Sequence, residues 1–197
     1  MKKKLILVAS PPACGKTYVS ELLAHELGHT VYLDKDDLGD LIRRAFQLCG
    51  EPADMDGEFY INNLRPAEYS VILQIALSAL RFEDTVLLNA PFGREVRDPG
   101  FMSALKEHAH ELNAELILIW VTAPLEVCRE RMIRRNSPRD TMKLLNWDEY
   151  VKKVNYTVPY SLETDRAVDR LLIFDTSDDT AVQDSLSKTL KVLKQET

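Results

Sequence analysis

The segment Lys4 to Thr17, KLILVASPPACGKT, runs an apolar stretch straight into a proline-stiffened turn that closes on Gly15, Lys16 and Thr17. A short apolar run ending in such a turn reads as a strand buried on both faces. Directly after the turn, Val19, Leu22, Leu23 and Leu27 recur at helical spacing, and Gly28 supplies a stop. A strand feeding through a tight loop into a helix aims several backbone N–H groups and the positive end of the helix dipole at one place. That geometry holds an anion. The spacing follows G-x-x-x-x-G-K-[ST], with Ser10 in the position of the first glycine. Pro11 and Pro12 remove two early donors, so the expected phosphate cradle is Ala13, Cys14, Gly15, Lys16, Thr17 and Tyr18. Within it, Gly15 permits close backbone approach, Lys16 reaches the β- and γ-phosphates, and the Thr17 hydroxyl is the expected Mg²⁺ ligand. Cys14 lies where the N–H groups and the dipole favour a thiolate; the alternative is a small side chain filling a tight turn.

The rest of the chain alternates apolar runs with amphipathic stretches, the signature of an α/β protein with a parallel sheet. Strands are expected at Lys4–Ala9, Thr30–Leu33, Thr85–Ala90, Glu115–Val121 and Arg170–Asp175. Helices are expected at Lys16–Leu27, near Leu38–Leu48, Pro66–Leu80 and Phe101–Leu112, over PLEVCRERMIRR, and over a last segment carrying Val182, Leu186, Leu190 and Leu193. With 45% hydrophobic and 28% charged residues in a chain of 197, the composition is that of an ordinary globular domain. No apolar run is long enough to span a membrane. A net charge of -6 disfavours, without excluding, a partner bound by bulk positive charge such as nucleic acid. The basic start and short apolar run of MKKKLILVAS also suit a secretory leader, but they lead directly into the loop and are read as the first strand. Cys14, Cys49 and Cys128 are dispersed, which fits a reducing cytoplasm and gives no zinc framework.

SPPACGKTYVSELL followed by VYLDKDDLGDLI resembles the phosphate-loop kinases, in particular the AAA-type group of polynucleotide 5′-hydroxyl kinases and zeta-toxin-like proteins, which also contains small-molecule kinases. The resemblance implies one three-layer domain over residues 1–197. It also implies a five-stranded parallel sheet in the order 2-3-1-4-5, helices on both faces, and a short basic lid at about 129–148. ATP and Mg²⁺ are the implied cofactors. In such kinases the strand after the first helix ends in a carboxylate that accepts the proton of the attacking hydroxyl. Asp36 matches it best and Asp34 is the neighbouring candidate. Asp36 or Asp37 could instead cap the following helix. Gly39 stands near the place of a polynucleotide-kinase arginine, with Arg43 and Arg44 further along. Asn89 ends the third strand where phosphate-loop ATPases usually carry an acid.

Beyond that strand, Arg94 and Arg97 could hold a polar or anionic substrate, or be solvated surface charges. In CRERMIRRNSPRD, Arg131 and Arg135 share a helix face at i, i+4 and Arg139 follows. Lid arginines neutralise a transferring phosphoryl group, which gives Arg131 and Arg135 a catalytic expectation. Trp147, Tyr150, Tyr156 and Tyr160 could line a substrate surface or simply pack. DTSDD after the last strand is where the family brackets adenine. HELGH (His25–His29) matches the zinc-protease pattern H-E-x-x-H, but Gly28 should end the helix before His29. The expected activity is therefore transfer of the γ-phosphoryl group of ATP to a hydroxyl of a small-molecule or nucleotide-like acceptor. A non-catalytic nucleotide switch and a polynucleotide 5′-hydroxyl kinase stand as alternatives.

Overall fold

Along β1 (Lys3–Ala9), β2 (Val31–Asp34), β3 (Thr85–Asn89), β4 (Ala114–Thr122) and β5 (Arg170–Asp175), successive side chains point to opposite faces of one sheet. The computed structural model describes residues 2–195. Residues 1, 196 and 197, which the expected domain also spans, lie outside the described residues. The strands run in the order β2-β3-β1-β4-β5, and every neighbouring pair is parallel. Parallel strands need crossovers, and helices supply them on both faces. This is the expected three-layer α/β architecture.

One layer packs Leu5, Leu7, Leu88, Leu118 and Trp120 against α3 (Arg65–Ala79) and α4 (Pro99–Glu111), through Ile72, Leu73, Met102 and Leu105. The other packs Ile6, Val8, Ile117, Ile119 and Val121 against Val19 and Leu23 of α1 (Lys16–Leu27) and Val182 and Leu193 of α9 (Asp179–Lys194). Each fully buried aliphatic side chain stabilises the fold by roughly 1.5–3 kcal/mol relative to exposure. A charge at Ile6, in the central strand and 0% exposed, would therefore break the sheet's core.

A smaller third cluster of Ile42, Phe46 and Tyr60 lies under α2 (Gly39–Cys49) and a π turn at Tyr60–Leu64. The polar segment after α5 (Leu125–Arg135) folds into α6 (Pro138–Leu145), α7 (Trp147–Lys153) and the one-turn α8 (Ser161–Thr164). Sequence periodicity does not resolve these short helices. Asn136, left-handed at φ 45°, ends α5 and redirects the chain into α6. Among the described residues no helix is long and apolar enough to cross a membrane.

Candidate active site

Ser10 is buried and its hydroxyl donates to the Pro11 carbonyl at 2.7 Å. The left-handed positions of the loop fall at Ala13 (φ 64°) and Gly15 (φ 86°), not at Ser10. The backbone at Ser10 therefore makes no demand for glycine, and the departure from the usual pattern leaves the loop intact. Gly15 precedes α1 and its carbonyl accepts the first helical bond, from Val19 N–H at 3.0 Å. A Cβ there would only reach ordinary contact with Arg131 and Thr176, so its positive φ is what calls for glycine.

The side chains of the loop divide between core and cleft. Cys14 is buried with its sulfur 3.6 Å from that of Cys128. The hydrogen bond to Cys128 and burial push the Cys14 thiol pKa up, so it is a protonated packing group. Tyr18 is exposed on α1. Lys16 instead donates its ammonium to the Asn89 carbonyl oxygen. Burial lowers the Lys16 pKa, against the opposing pull of Asp34 and Asp36. A phosphate beside it would favour the charged form further.

Asn89 is fully buried and stands between Val8 and Asp34 in the strand register. Its amide nitrogen lies 2.5 Å from Asp34 Oδ2, 3.1 Å from Tyr32 Oη and 3.4 Å from Thr17 Oγ1. An uncharged amide at this position accepts from the lysine and donates to the carboxylate, which an aspartate could not do. The missing acid of β3 is thus offset by an acid at the end of its neighbour β2. Thr17 and Asp34 are hard oxygen donors joined through one amide, a set suited to a magnesium ion that takes its remaining ligands from phosphate and water.

Asp34 also caps the 3₁₀ turn Lys35–Leu38, its Oδ1 accepting from Asp36 N–H at 2.9 Å. α2 itself begins after Leu38 with no side-chain cap, so neither Asp36 nor Asp37 caps it. Asp36 has its side chain 71% exposed and 3.2 Å from the Lys35 ammonium. Lys35 is itself buried, pairing with buried Glu68 at 3.0 Å, and Tyr60 donates to Glu68 at 2.5 Å. This triad ties the 3₁₀ turn, the π turn and α3 beneath Asp36. Lys35 and Glu68 gave no signal in the sequence, being a lysine among acids and one glutamate of a long amphipathic helix.

A pocket of about 340 Å³ opens here, lined by Lys35, Asp36, Gly39, Arg43, Phe46, Ala53, Met55, Glu68 and Arg139. Arg43 lies over Gly39 and pairs with exposed Asp40, whereas Arg44 turns to Gln47 on the surface. Arg94 lines a different groove of about 510 Å³ between α3 and α4, beside the Arg65–Glu95 pair. Arg97 lies over the Trp120 ring and donates to the Thr157 carbonyl.

The basic segment likewise divides. Arg131 donates to Thr176 Oγ1 at 3.0 Å and to the Thr176 carbonyl at 2.6 Å, with the Ala13 carbonyl at 3.5 Å. Thr176 in turn donates to the Cys14 carbonyl at 2.7 Å, so the pair clamps the phosphate loop to the turn after β5. Arg135 forms a two-point pair with buried Asp140, through Nη2–Oδ1 at 2.7 Å and through Nε. Arg139, the second residue of α6, is the arginine of this segment that lines the pocket of Asp36. The turn at Asn136 breaks the i, i+4 face and swings Arg139 round. Trp147 packs beneath Arg129, and the Tyr150 and Tyr156 hydroxyls are buried. In DTSDD, Asp178 caps α9. α1 ends at Leu27, leaving His29 outside the helix. Among the described residues no three His, Cys, Asp or Glu side chains group to hold a metal. HELGH is a chance match.

A family model described as an AAA domain matches residues 5–156, most of the chain, and the protein belongs to that family. No curated protein matches the sequence. Among solved structures, a candidate kinase from Chloroflexus aurantiacus is 20% identical, with a TM-score of 0.66 over 100% of this chain and 98% of that one. Kti12 of Chaetomium thermophilum in complex with ADP-AlF3 is 17% identical, with a TM-score of 0.57 over 98% and 100%. Shikimate kinase of Bacteroides thetaiotaomicron is 14% identical, with a TM-score of 0.54 over 96% and 98%. At these identities the likeness is one of fold, and the fold is that of the phosphate-loop kinases.

Proposed function

We propose that the protein is an ATP-dependent phosphotransferase that moves the γ-phosphoryl group to a hydroxyl of a small-molecule or nucleotide-like acceptor. The observation that carries this reading is the placement of Asp34 and Asp36, two residues apart. Asp34 joins Lys16, Thr17 and Asn89 on the phosphate side, while Asp36 lines an adjoining pocket and still acts on the Lys16 charge. A hydrolase needs only the first half of that arrangement. The kinase fold of the neighbours and the ADP-AlF3 bound to Kti12 support a nucleotide donor.

In the proposed reaction the N–H groups from Ala13 to Tyr18 cradle the phosphates and Lys16 neutralises the β- and γ-oxygens. Thr17 and Asp34 would hold Mg²⁺, which would supply charge neutralisation on the phosphate oxygens. Asp36 takes the acceptor's hydroxyl proton as its oxygen bonds to the γ-phosphorus and the bond to the β-phosphate oxygen breaks, releasing ADP. Arg139 neutralises charge on the pocket side. Arg131 keeps the loop in register from behind, and Arg135 fixes the start of α6 through Asp140. The free thiols Cys14, Cys49 and Cys128 support a cytoplasmic setting.

Transfer from γ-labelled ATP to a panel of hydroxyl acceptors, with wild type and Lys16→Ala side by side, tests the reading. Wild type transfers label and Lys16→Ala loses at least about 1,000-fold. Equal activity in the variant overturns it. Stoichiometric ATP binding with no transfer to any acceptor favours the switch.

A further inference from the structure

The pocket of Asp36 combines features that select its occupant. Its base and rim carry three cations, Lys35, Arg43 and Arg139, and its other wall is Phe46, Ala53 and Met55. Lys35 is spent on Glu68 and Asp36. Arg43 has only Asp40, and that pair is a surface one, with side chains 65% and 92% exposed. Such pairs contribute about 0–1 kcal/mol and exchange readily for another anion. The acid beside Arg139, Asp140, is buried and held at two points by Arg135. Arg139 therefore lines the pocket with no ion-pair partner among the described residues, set for a planar carboxylate.

The surroundings limit how much negative charge can enter. Residues 34–58, which supply most of the pocket's lining, carry eight acidic and three basic side chains, and Asp37, Asp40, Glu51, Asp54, Asp56 and Glu58 are all exposed. A polyanion laid across this segment would meet like charge. One compact anion, carried past the rim on a small molecule, would not. A volume of about 340 Å³ is at the lower end of the range for small-ligand pockets.

We propose that the acceptor is a compact, singly anionic alcohol, with its carboxylate held between Arg43 and Arg139, its hydroxyl on Asp36 and its carbon face against Ala53 and Met55. This rests on the phosphotransferase reading, and it argues against an oligonucleotide end as the substrate. The rim supplies the selectivity, admitting one charge and rejecting several.

The test compares C3 to C6 aldonates with the matching neutral alditols and with a 5′-hydroxyl oligonucleotide. Each is assayed for kcat/KM with ATP and Mg²⁺, and for equilibrium binding by calorimetry in the presence of ADP. For wild type the best anionic alcohol exceeds its neutral counterpart at least about 100-fold in kcat/KM and about 10-fold in affinity, as two charge-assisted contacts require. In the double variant Arg43→Gln, Arg139→Gln both ratios fall toward unity. Its melting temperature stays near that of wild type, because both side chains are exposed. Equal use of neutral alcohols, or preference for the oligonucleotide, overturns the inference and leaves the phosphotransferase reading standing. If no acceptor is phosphorylated, that reading fails, and the binding ratio still decides this one: anion-selective binding lost in the double variant supports it, and none overturns it.

Discussion

The side chains hydrogen-bonded into the Lys16 site, Asn89, Asp34 and Thr17, come from strand ends and the first turn of α1, and the residue at the centre, Asn89, is fully buried. Around Asp36, the walls come from a 3₁₀ turn, α2, the loop at 50–58 and the start of α6, supported by a cluster of only three buried residues. The donor half is thus an extension of the sheet's core, and its geometry is fixed by the same packing that fixes the fold. The acceptor half is built of short elements with little buried apolar surface, the kind of region that opens locally at low free-energy cost. The two halves meet at Asp34 and Asp36, two residues apart, where β2 passes into the 3₁₀ turn. A phosphate site that must be the same in every turnover belongs on the first kind of support. A pocket that must admit and release an acceptor belongs on the second.

Replacing the two aspartates in turn is the sharpest way to break that division. Asp34→Asn removes the carboxylate from the buried side, and slow ATP hydrolysis and transfer should both fall by roughly 100- to 1,000-fold. Asp36→Asn should reduce transfer to the acceptor by a similar factor while ADP and ATP affinity stay within about 2-fold of wild type. Titration calorimetry alongside turnover separates the two. If Asp36→Asn weakens nucleotide affinity as much as Asp34→Asn does, the halves are not independent.

A smaller effect is expected from the acceptor side's own core. Phe46 is buried between Phe59 and Tyr60, with ring centroids at 5.9 and 6.3 Å. Phe46→Ala should cost about 3 kcal/mol, the usual penalty for emptying a buried aromatic site. Because the cluster is separate from the two sheet faces, the loss should appear as early hydrogen exchange in α2 and the 50–64 segment, and as a raised acceptor KM. Protection of β1 and β4 should drop only where exchange proceeds by global unfolding. Uniform loss across the sheet would show that the acceptor half is part of the main core.

The sheet, its strand order and the phosphate loop were legible because alternating apolar runs and a loop spacing leave few arrangements for a chain to adopt. What lay hidden turned on orientation. Ser10 reads as a defect until the left-handed positions are known to fall at Ala13 and Gly15. Asp34 and Asp36 are interchangeable on paper, but Asp34 is the last residue in strand register beside Asn89, while Asp36 lies beyond it in a turn. Arg131 and Arg135 do sit at i, i+4, yet nothing in that spacing reveals that Asn136 adopts a left-handed turn and that Arg139 reaches the pocket instead. The Lys35–Glu68–Tyr60 triad joins residues from three elements, and no local pattern marks it. Sequence periodicity reports which face is buried. It does not report which way a polar side chain turns at the end of an element.

The smallest predicted effect lies at the opposite edge of the sheet, where β5 begins, and tests whether the donor half depends on the whole scaffold. There Asp169 accepts from Leu116 N–H at 2.8 Å and pairs with Lys106 at 3.2 Å and His110 at 2.9 Å. Burial alone would raise its pKa, but the Leu116 N–H, His110 and Lys106 outweigh it and hold the carboxyl below its ordinary range. A carboxylate with a lowered folded-state pKa contributes stability that is fully present above the unfolded-state value and is lost as the pH falls through the folded-state one. Asp169→Asn should therefore destabilise the protein by about 1–3 kcal/mol near neutral pH, the range for hydrogen bonds to a charged group. Urea midpoints of variant and wild type should converge as the pH drops below the ordinary carboxylate range. A gap that stays constant with pH would assign the loss to packing instead of charge. Turnover below the unfolding transition should match wild type, since the charge sits at the ends of strands that point away from the cleft. A fall in turnover there would mean that the phosphate side draws its rigidity from the full length of the sheet, and not from the strand ends alone.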